Sequence, residues 1–247
     1  MKPFHERDGV TLYHGDALAV MAELEEDSIG VVATDPPYSS GARNAATVRS
    51  RPALRRSDGP HARWFGSDNM TSHGFAFLVR LLAVEARRLT VQDGHLFSFI
   101  DWRQWPVLAG AIEAAGWSLS ACLVWDKKHF GMGNRFRQQA EFVLHASNGV
   151  GDNFLRHDLG TVFRFPRPRE DLVPTQKPEE LAELLLSAVP GDVVLDPFMG
   201  SGTWLAAART NDRRAIGVEA DERTCEIAAR RLDQGVLPFG PREEWPP

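Results

Sequence analysis

Residues 192–219, "DVVLDPFMGSGTWLAAARTNDRRAIGVE", hold a short buried-type run, a glycine pair, a helix pattern and a second buried run that ends in an acid. A strand that turns straight into a helix and returns as another strand is the repeating unit of a parallel, helix-covered sheet. Gly200 and Gly202 give the turn unusual backbone angles and let a ligand come close, and the helix that follows begins with unpaired N–H groups. Glu219 stands nineteen positions past Gly200. At that distance a dinucleotide-type unit hydrogen-bonds a ribose diol. Leu205 occupies the place of the third glycine in G-x-G-x-x-G, which favours a nucleoside ligand without a pyrophosphate. A bare turn with a surface glutamate is the plainer reading, and the strand–turn–helix–strand order weighs against it.

The same alternation runs along the chain. "VTLYHGD", "IGVVATD", "HLFSFID", "SLSACLVWD", "AEFVLHAS", "DVVLDP" and "RRAIGVE" read as strands. "ALAVMAEL", "GFAFLVRLLAVEARRL", "WPVLAGAIEAAG", "KPEELAELLLSAV", "TWLAAARTN" and "DERTCEIAARRL" read as helices, the fourth with proline in its first turn. Two stretches break the pattern. Residues 39–72 carry Arg43, Arg49, Arg51, Arg55, Arg56 and Arg63 against only Asp58 and Asp68, and residues 147–173 are rich in Gly, Arg and Pro. Loops of this length in a compact domain are usually functional or disordered.

A chain of 247 residues with 43% hydrophobic side chains can bury a substantial core. Its net charge of −5 argues against indiscriminate attraction to nucleic acid or acidic membrane, and leaves room for a local basic patch. Cys122 and Cys225 form neither a disulfide framework nor a metal spacing, which suits a reducing cytoplasm. "MKPFHERDGV" lacks the apolar core of a signal peptide, and no apolar run reaches membrane-spanning length, so a cytoplasmic location without a membrane partner is expected. The histidines show no HxE…PCxxC grouping, so zinc deamination is disfavoured and no metal is expected.

"VVATDPPYSS", residues 31–40, ends a buried run with an acid, two prolines and an aromatic ring. Adjacent prolines fix φ and donate no N–H, so this point is rigid. Read alone, it is as well explained by a strand-ending turn.

"DPPY", "DPFMGSGT" and "GVEADERTCEIAARRL" together resemble the S-adenosylmethionine-dependent amino-methyltransferases of DNA, which methylate adenine at N6 or cytosine at N4. The likeness runs from "LYHGDAL" to "RRL". Its motif order is that of the circularly permuted subgroup called beta, and "VWDKKHFGMGNRFRQQAE" is similar to short methylases of bacteriophages and prophages. It implies a Rossmann-like α/β fold with a mostly parallel seven-stranded sheet and helices on both faces, formed by residues 1–247 as a single methyltransferase domain.

The resemblance gives the rigid tetrad a role. An exocyclic amine is a poor nucleophile because its lone pair is delocalised into the ring. Asp35 and the Pro36 carbonyl would each accept one amine hydrogen, Pro37 would hold the carbonyl in place, and Tyr38 would stack on the base. The positive charge that develops on nitrogen is then stabilised electrostatically. The base must leave the duplex, at a cost of a few kcal/mol. Methylation of cytosine carbon 5 is disfavoured, because Cys122 and Cys225 do not follow proline.

Further residues carry over one at a time. Asp16 matches a contact to the cofactor's adenine ring, or serves as a helix N-cap. Thr175 and Lys177, in "VPTQKP", match residues that approach the cofactor's methionine carboxylate. Val173 stands where a histidine is frequent. Asp196, Gly200, Ser201, Gly202 and Thr203 match the cofactor turn, Phe198 would pack on the cofactor or in the core, and Glu219 matches the ribose ligand.

For DNA, 39–72 is read as a basic contact loop and 147–173 as a short target-recognition segment. Arg103 and Gln104 of "DWRQW", and Arg135 and Arg137 of "GMGNRFR", are candidate contacts beside a solvated-loop reading. Trp64 and Phe65 would wedge at the vacated base or anchor the loop. The likeness also implies double-stranded DNA with one base flipped out, and carries a homodimer and a cognate restriction nuclease as candidate partners. Asp at the head of the tetrad leans towards adenine, with cytosine-N4 as the alternative. An RNA or protein amide methyltransferase and a non-catalytic DNA-binding module stand behind these.

Overall fold

The computed structural model describes residues 1–37, 70–131, 136–168 and 176–234. In chain order its elements are β1 (His5–Arg7), β2 (Val10–His14), α1 (Ala17–Met21), β3 (Ile29–Thr34), α2 (Ser72–Leu89), β4 (Thr90–Ile100) and α3 (Trp105–Ala114). There follow β5 (Ser118–Asp126), β6 (Ala140–Ser147), β7 (Val162–Arg164), α4 (Glu179–Ser187), β8 (Val193–Asp196), α5 (Thr203–Thr210), β9 (Arg214–Glu219) and α6 (Glu222–Asp233).

The strands form one sheet in the order β1-β2-β9-β8-β3-β4-β6-β5-β7, in which β1 and β6 run against the rest. Each of the seven expected strands is present. The sheet gains β1 and β7, three-residue edge strands too short to show a buried run. All of β3 is buried, as a central parallel strand covered on both faces must be. Its alternate residues serve two cores. Val31 and Ala33 join Phe97, Phe99 and the inner faces of α4, α5 and α6, while Val32 joins Leu96, Ile100 and the inner faces of α1, α2 and α3. Helix α2 is held at its start by Thr71, whose hydroxyl accepts from Gly74 N at 3.1 Å.

The sheet diverges at its centre. From β8 the chain passes through α5 to β9 on one side, whereas β3 is paired on its other side with β4. Pairing between β3 and β8 is confined to Val31↔Val194 and Val32↔Leu195. The β3–β4 ladder continues to Thr34↔Ser98, and the β8–β9 ladder to Asp196↔Gly217. The two central strands therefore part over their last residues, at the reversal of strand order where open α/β sheets bind ligands. At their other end they are pressed together: a Cβ on Gly30 would lie 2.5 Å from the Cα of Gly191. No side chain fits there.

Among the described residues no helix is long and apolar enough to cross a membrane, and no group of His, Cys, Asp and Glu is arranged to hold a metal ion.

Candidate active site

One wall of the crevice is the turn after β8. Gly200 and Gly202 both take left-handed angles (φ 49° and 80°), so the turn needs glycine at each. A Cβ on Gly200 would meet nothing within 4 Å, which leaves open space beside the backbone there. Gly200 N donates to Glu219 Oε2 at 3.2 Å, and Asp221 N donates to Glu219 Oε1 at 3.0 Å. Glu219 is thus fixed against the turn; burial raises its pKa, and these backbone donors oppose the rise. Asp16 follows the neighbouring strand, since β2 pairs with β9 as far as His14↔Glu219 and Gly15 N donates to the Glu219 carbonyl at 2.9 Å. Its Oδ1 accepts from Ala19 N at 3.0 Å, so the helix-cap role is real, and the side chain remains exposed beside Glu219. Gly200, Glu219 and Asp16 are thus brought together at one end of the sheet.

Asp196 closes β8 and is fully enclosed. Burial pushes its carboxyl well above the usual range, the charges of Asp35 and Glu219 push it further, and the Phe198 N–H, 3.0 Å from Oδ1, opposes them. Phe198 is half-buried against the core, and shares a small apolar cavity of about 30 Å³ with Pro36, Pro197 and Thr34. That volume holds little more than a water molecule, so the cavity backs the site rather than receiving a base. Ser201 and Thr203 are turned inward: Arg231 Nη1 donates to the Ser201 carbonyl (3.1 Å), the Ser201 hydroxyl (3.3 Å) and the Thr203 hydroxyl (3.4 Å). Their hydroxyls therefore serve the scaffold. The absent third glycine is also accounted for. Leu205 fills the space in which a Cβ on Gly217 would lie, 2.6 Å from the Leu205 Cδ2, so the close helix–strand approach is provided from β9.

The opposite wall is the end of β3. Asp35 and Pro37 are half-buried and Pro36 is buried. Asp35 Oδ2 lies 2.6 Å from Lys177 Nζ. Lys177, expected near a cofactor carboxylate, is instead enclosed between protein carboxylates, with Glu141 Oε2 at 3.3 Å and the Phe99 ring centroid at 5.2 Å. Glu141 also takes the ammonium of Lys127. Burial works against the charge on Lys177, and Asp35 and Glu141 more than offset it, raising its pKa. Burial likewise disfavours ionised Glu141, and the two lysines outweigh it, so its pKa is lowered.

These two walls carry the motifs through which the chain can be compared with known proteins. The family profile described as DNA methylase, for N6 and N4 methylation, matches residues 29–156 and 152–230. The chain belongs to the N6/N4 DNA methylase family. It is similar to the DNA adenine methyltransferase YhdJ of Escherichia coli (strain K12), at 29% identity over 259 residues, covering 90% of this chain and 82% of that protein. It is also similar to the type II methyltransferase M.HpaI of Haemophilus parainfluenzae, at 28% over 240 residues, covering 93% and 76%. Among solved structures, the cytosine-N4-specific PvuII DNA methyltransferase shares the fold with a TM-score of 0.71 at 18% identity, over 94% of this chain and 89% of that one. The M1.HpyAVI–SAM complex does so with a TM-score of 0.66 at 22% identity, over 90% and 99%.

The methylase crevice opens towards loops after β4 and β5. Arg103 is exposed there, its guanidinium 5.2 Å from the Trp102 ring centroid and 3.7 Å from Asp101. Arg137 is exposed over Phe130, at 3.5 Å. Gln104 corrects its reading as a DNA contact. It is buried at the start of α3, on the face that continues through Leu108, Ala111 and Ile112. Within 147–168, Arg164 Nε pairs with Asp126 Oδ2 at 2.8 Å and Arg156 pairs with Asp158. Tyr38, Thr175, Val173, Arg43, Arg49, Arg51, Arg55, Arg56, Arg63, Trp64, Phe65 and Arg135 lie outside the described residues. Sequence reasoning missed Glu141, Lys127 and Arg231. An acid beginning the apolar run "AEFVLHAS" was the available sign of Glu141.

Proposed function

We propose that this methylase transfers a methyl group from S-adenosylmethionine to the N6 amine of adenine in double-stranded DNA, on a base turned out of the helix. The supporting observation is that Asp35-Pro36 and the Asp196–Gly200 turn flank the gap where β3 and β8 part. Glu219, Gly200 and Asp16 would hold the nucleoside, and Phe198 would support it. When bound, the cofactor supplies a methyl on a sulfonium, whose carbon–sulfur bond breaks towards sulfur as the nitrogen–carbon bond forms. Asp35 accepts one amine hydrogen and the Pro36 carbonyl the other, so the nitrogen lone pair is less committed to the ring and its growing positive charge meets a carboxylate and a fixed carbonyl dipole. Asp35 is then the nearest base for the proton that the nitrogen sheds. Tyr38 is assigned the stacking role, and Arg103, Arg137 and the arginines of 39–72 the phosphates.

Adenine is favoured by the aspartate that heads the tetrad and by the likeness to a named adenine enzyme. A fold neighbour that is cytosine-N4-specific keeps the second base in view. Incubation of the purified protein with unmethylated DNA and S-adenosylmethionine, followed by mass spectrometry of the nucleosides, is expected to yield N6-methyladenine. N4-methylcytosine alone would overturn the base assignment, and methyl transfer to RNA or protein but not DNA would overturn the substrate.

A further inference from the structure

Four charged side chains from four places in the chain, Asp35 among them, meet at the end of β3. Lys177 Nζ is 2.6 Å from Asp35 Oδ2 and 3.3 Å from Glu141 Oε2, and Lys127 bonds the other Glu141 oxygen. Both lysine side chains are almost enclosed, at 7% and 8% exposure. Two cations balance two anions. A single Lys177–Asp35 pair would already be neutral, so the second pair does more than cancel charge. An ammonium given wholly to Asp35 would hold its lone pairs and weaken its pull on an amine. Glu141 draws the same ammonium the other way, and Lys127 sets how strongly it can do so.

We propose that Glu141 is a positioning residue for methyl transfer, dividing the Lys177 ammonium between itself and Asp35 and so setting how strongly Asp35 accepts the substrate amine. The inference rests on the assignment of Asp35 to the reacting amine. Asp35 also feels Asp196 from the end of β8, and Lys127 feels Arg167 from the segment after β7. Those groups are unchanged in the variants below.

The consequence is a pair of opposite shifts. Glu141→Gln removes an anion and leaves the Lys177 ammonium to Asp35, so the acidic limb of kcat/KM moves down by about one pH unit and the rate falls roughly tenfold. Lys177→Met removes the nearest cation and moves the limb up by about one unit or more. Lys127→Met releases Glu141 to Lys177, and moves the limb up as well. Glu141→Asp restores the charge and returns the limb to its wild-type position.

The assay is transfer of tritiated methyl from S-adenosylmethionine to DNA of a methylation-free host between pH 5 and 9. Cofactor affinity by calorimetry and a thermal melt accompany each variant. Opposed limb shifts at Glu141 and Lys177, with cofactor affinity within about threefold, support the proposal. Limbs that stay put, or move the same way in both, overturn it. If Glu141→Gln does not fold, the upward shift in Lys127→Met decides: present, it supports; absent, it overturns. Asp35→Asn separates the two levels. Undiminished transfer there defeats the catalytic assignment itself, whereas loss of transfer with an unmoved Glu141→Gln profile defeats only the role of Glu141.

Discussion

The pair His95 and His145 should make stability depend on pH in a window that can be worked out. Both are buried, with ring centroids 5.3 Å apart and Phe97 and Phe154 around them. Asn153 Nδ2 donates to the Asp93 carbonyl at 3.2 Å, so its Oδ1 accepts from His95 Nε2 at 2.9 Å. His95 Nδ1 then accepts from His145 Nε2 at 3.1 Å, and both rings are neutral. Burial first, and the neighbouring His95 second, push the His145 pKa down to about 3; burial, with help from the Arg213 charge, also lowers that of His95, against Asn153 and Asp93.

In the unfolded chain His145 titrates near 6.5. Below that pH the unfolded state takes up a proton that the folded state refuses, so stability falls as pH drops from about 6.5 towards 3. At about 1.4 kcal/mol per unit, the His145 contribution to this loss is about 2 kcal/mol at pH 5. The measurement is urea unfolding at pH 7.5 and 5.0 of the wild type and His145→Gln, whose amide can still donate to His95. The wild type should lose about 2 kcal/mol more than the variant between the two conditions. Equal losses would refute the reasoning, because every other titrating group is common to both proteins.

Gly217→Ala sets a methyl against Leu205 and Met199, and should lower stability by about 1–3 kcal/mol, read as a drop in Tm of roughly 3–8 °C. Glu219→Gln removes the charged acceptor fixed beside Gly200; cofactor Kd measured by calorimetry should rise roughly tenfold, with DNA affinity unchanged. Arg137→Ala should weaken DNA binding whatever its sequence and reduce the slope of log K against log salt by about one. An unchanged slope removes Arg137 from the phosphate contacts.

The parallel core was legible because buried parallel strands are nearly continuous apolar runs, as "IGVVATD" shows for β3; outside that core, "SLSACLVWD" and "AEFVLHAS" match β5 and the antiparallel β6 end to end. β1 and β7 were not legible, since three-residue edges are decided by their neighbours. In the site, Gly200, Glu219 and Asp16 could be placed because each sits at a strand end whose spacing is local. Glu141 and Lys177 could not be joined to Asp35 from spacing alone. Their meeting depends on β6 running antiparallel beside β4 and on how the segment before α4 returns to the sheet. Gln104 misled because a polar name beside arginine suggested surface, although its four-residue step to Leu108 already put it on the inward face.

The contact of Gly30 with Gly191 lies at the foot of the two strands whose upper ends carry Asp35 and the Asp196–Gly200 turn, the groups proposed to act on acceptor and donor. It acts as the pivot of a pair of tongs: bulk added at the joint would force the handles apart and alter the bite at the jaws. The walls assigned to methyl donor and acceptor would therefore be spaced by two residues assigned to neither molecule, and a defect there would slow transfer by shifting the two walls while removing no chemical group.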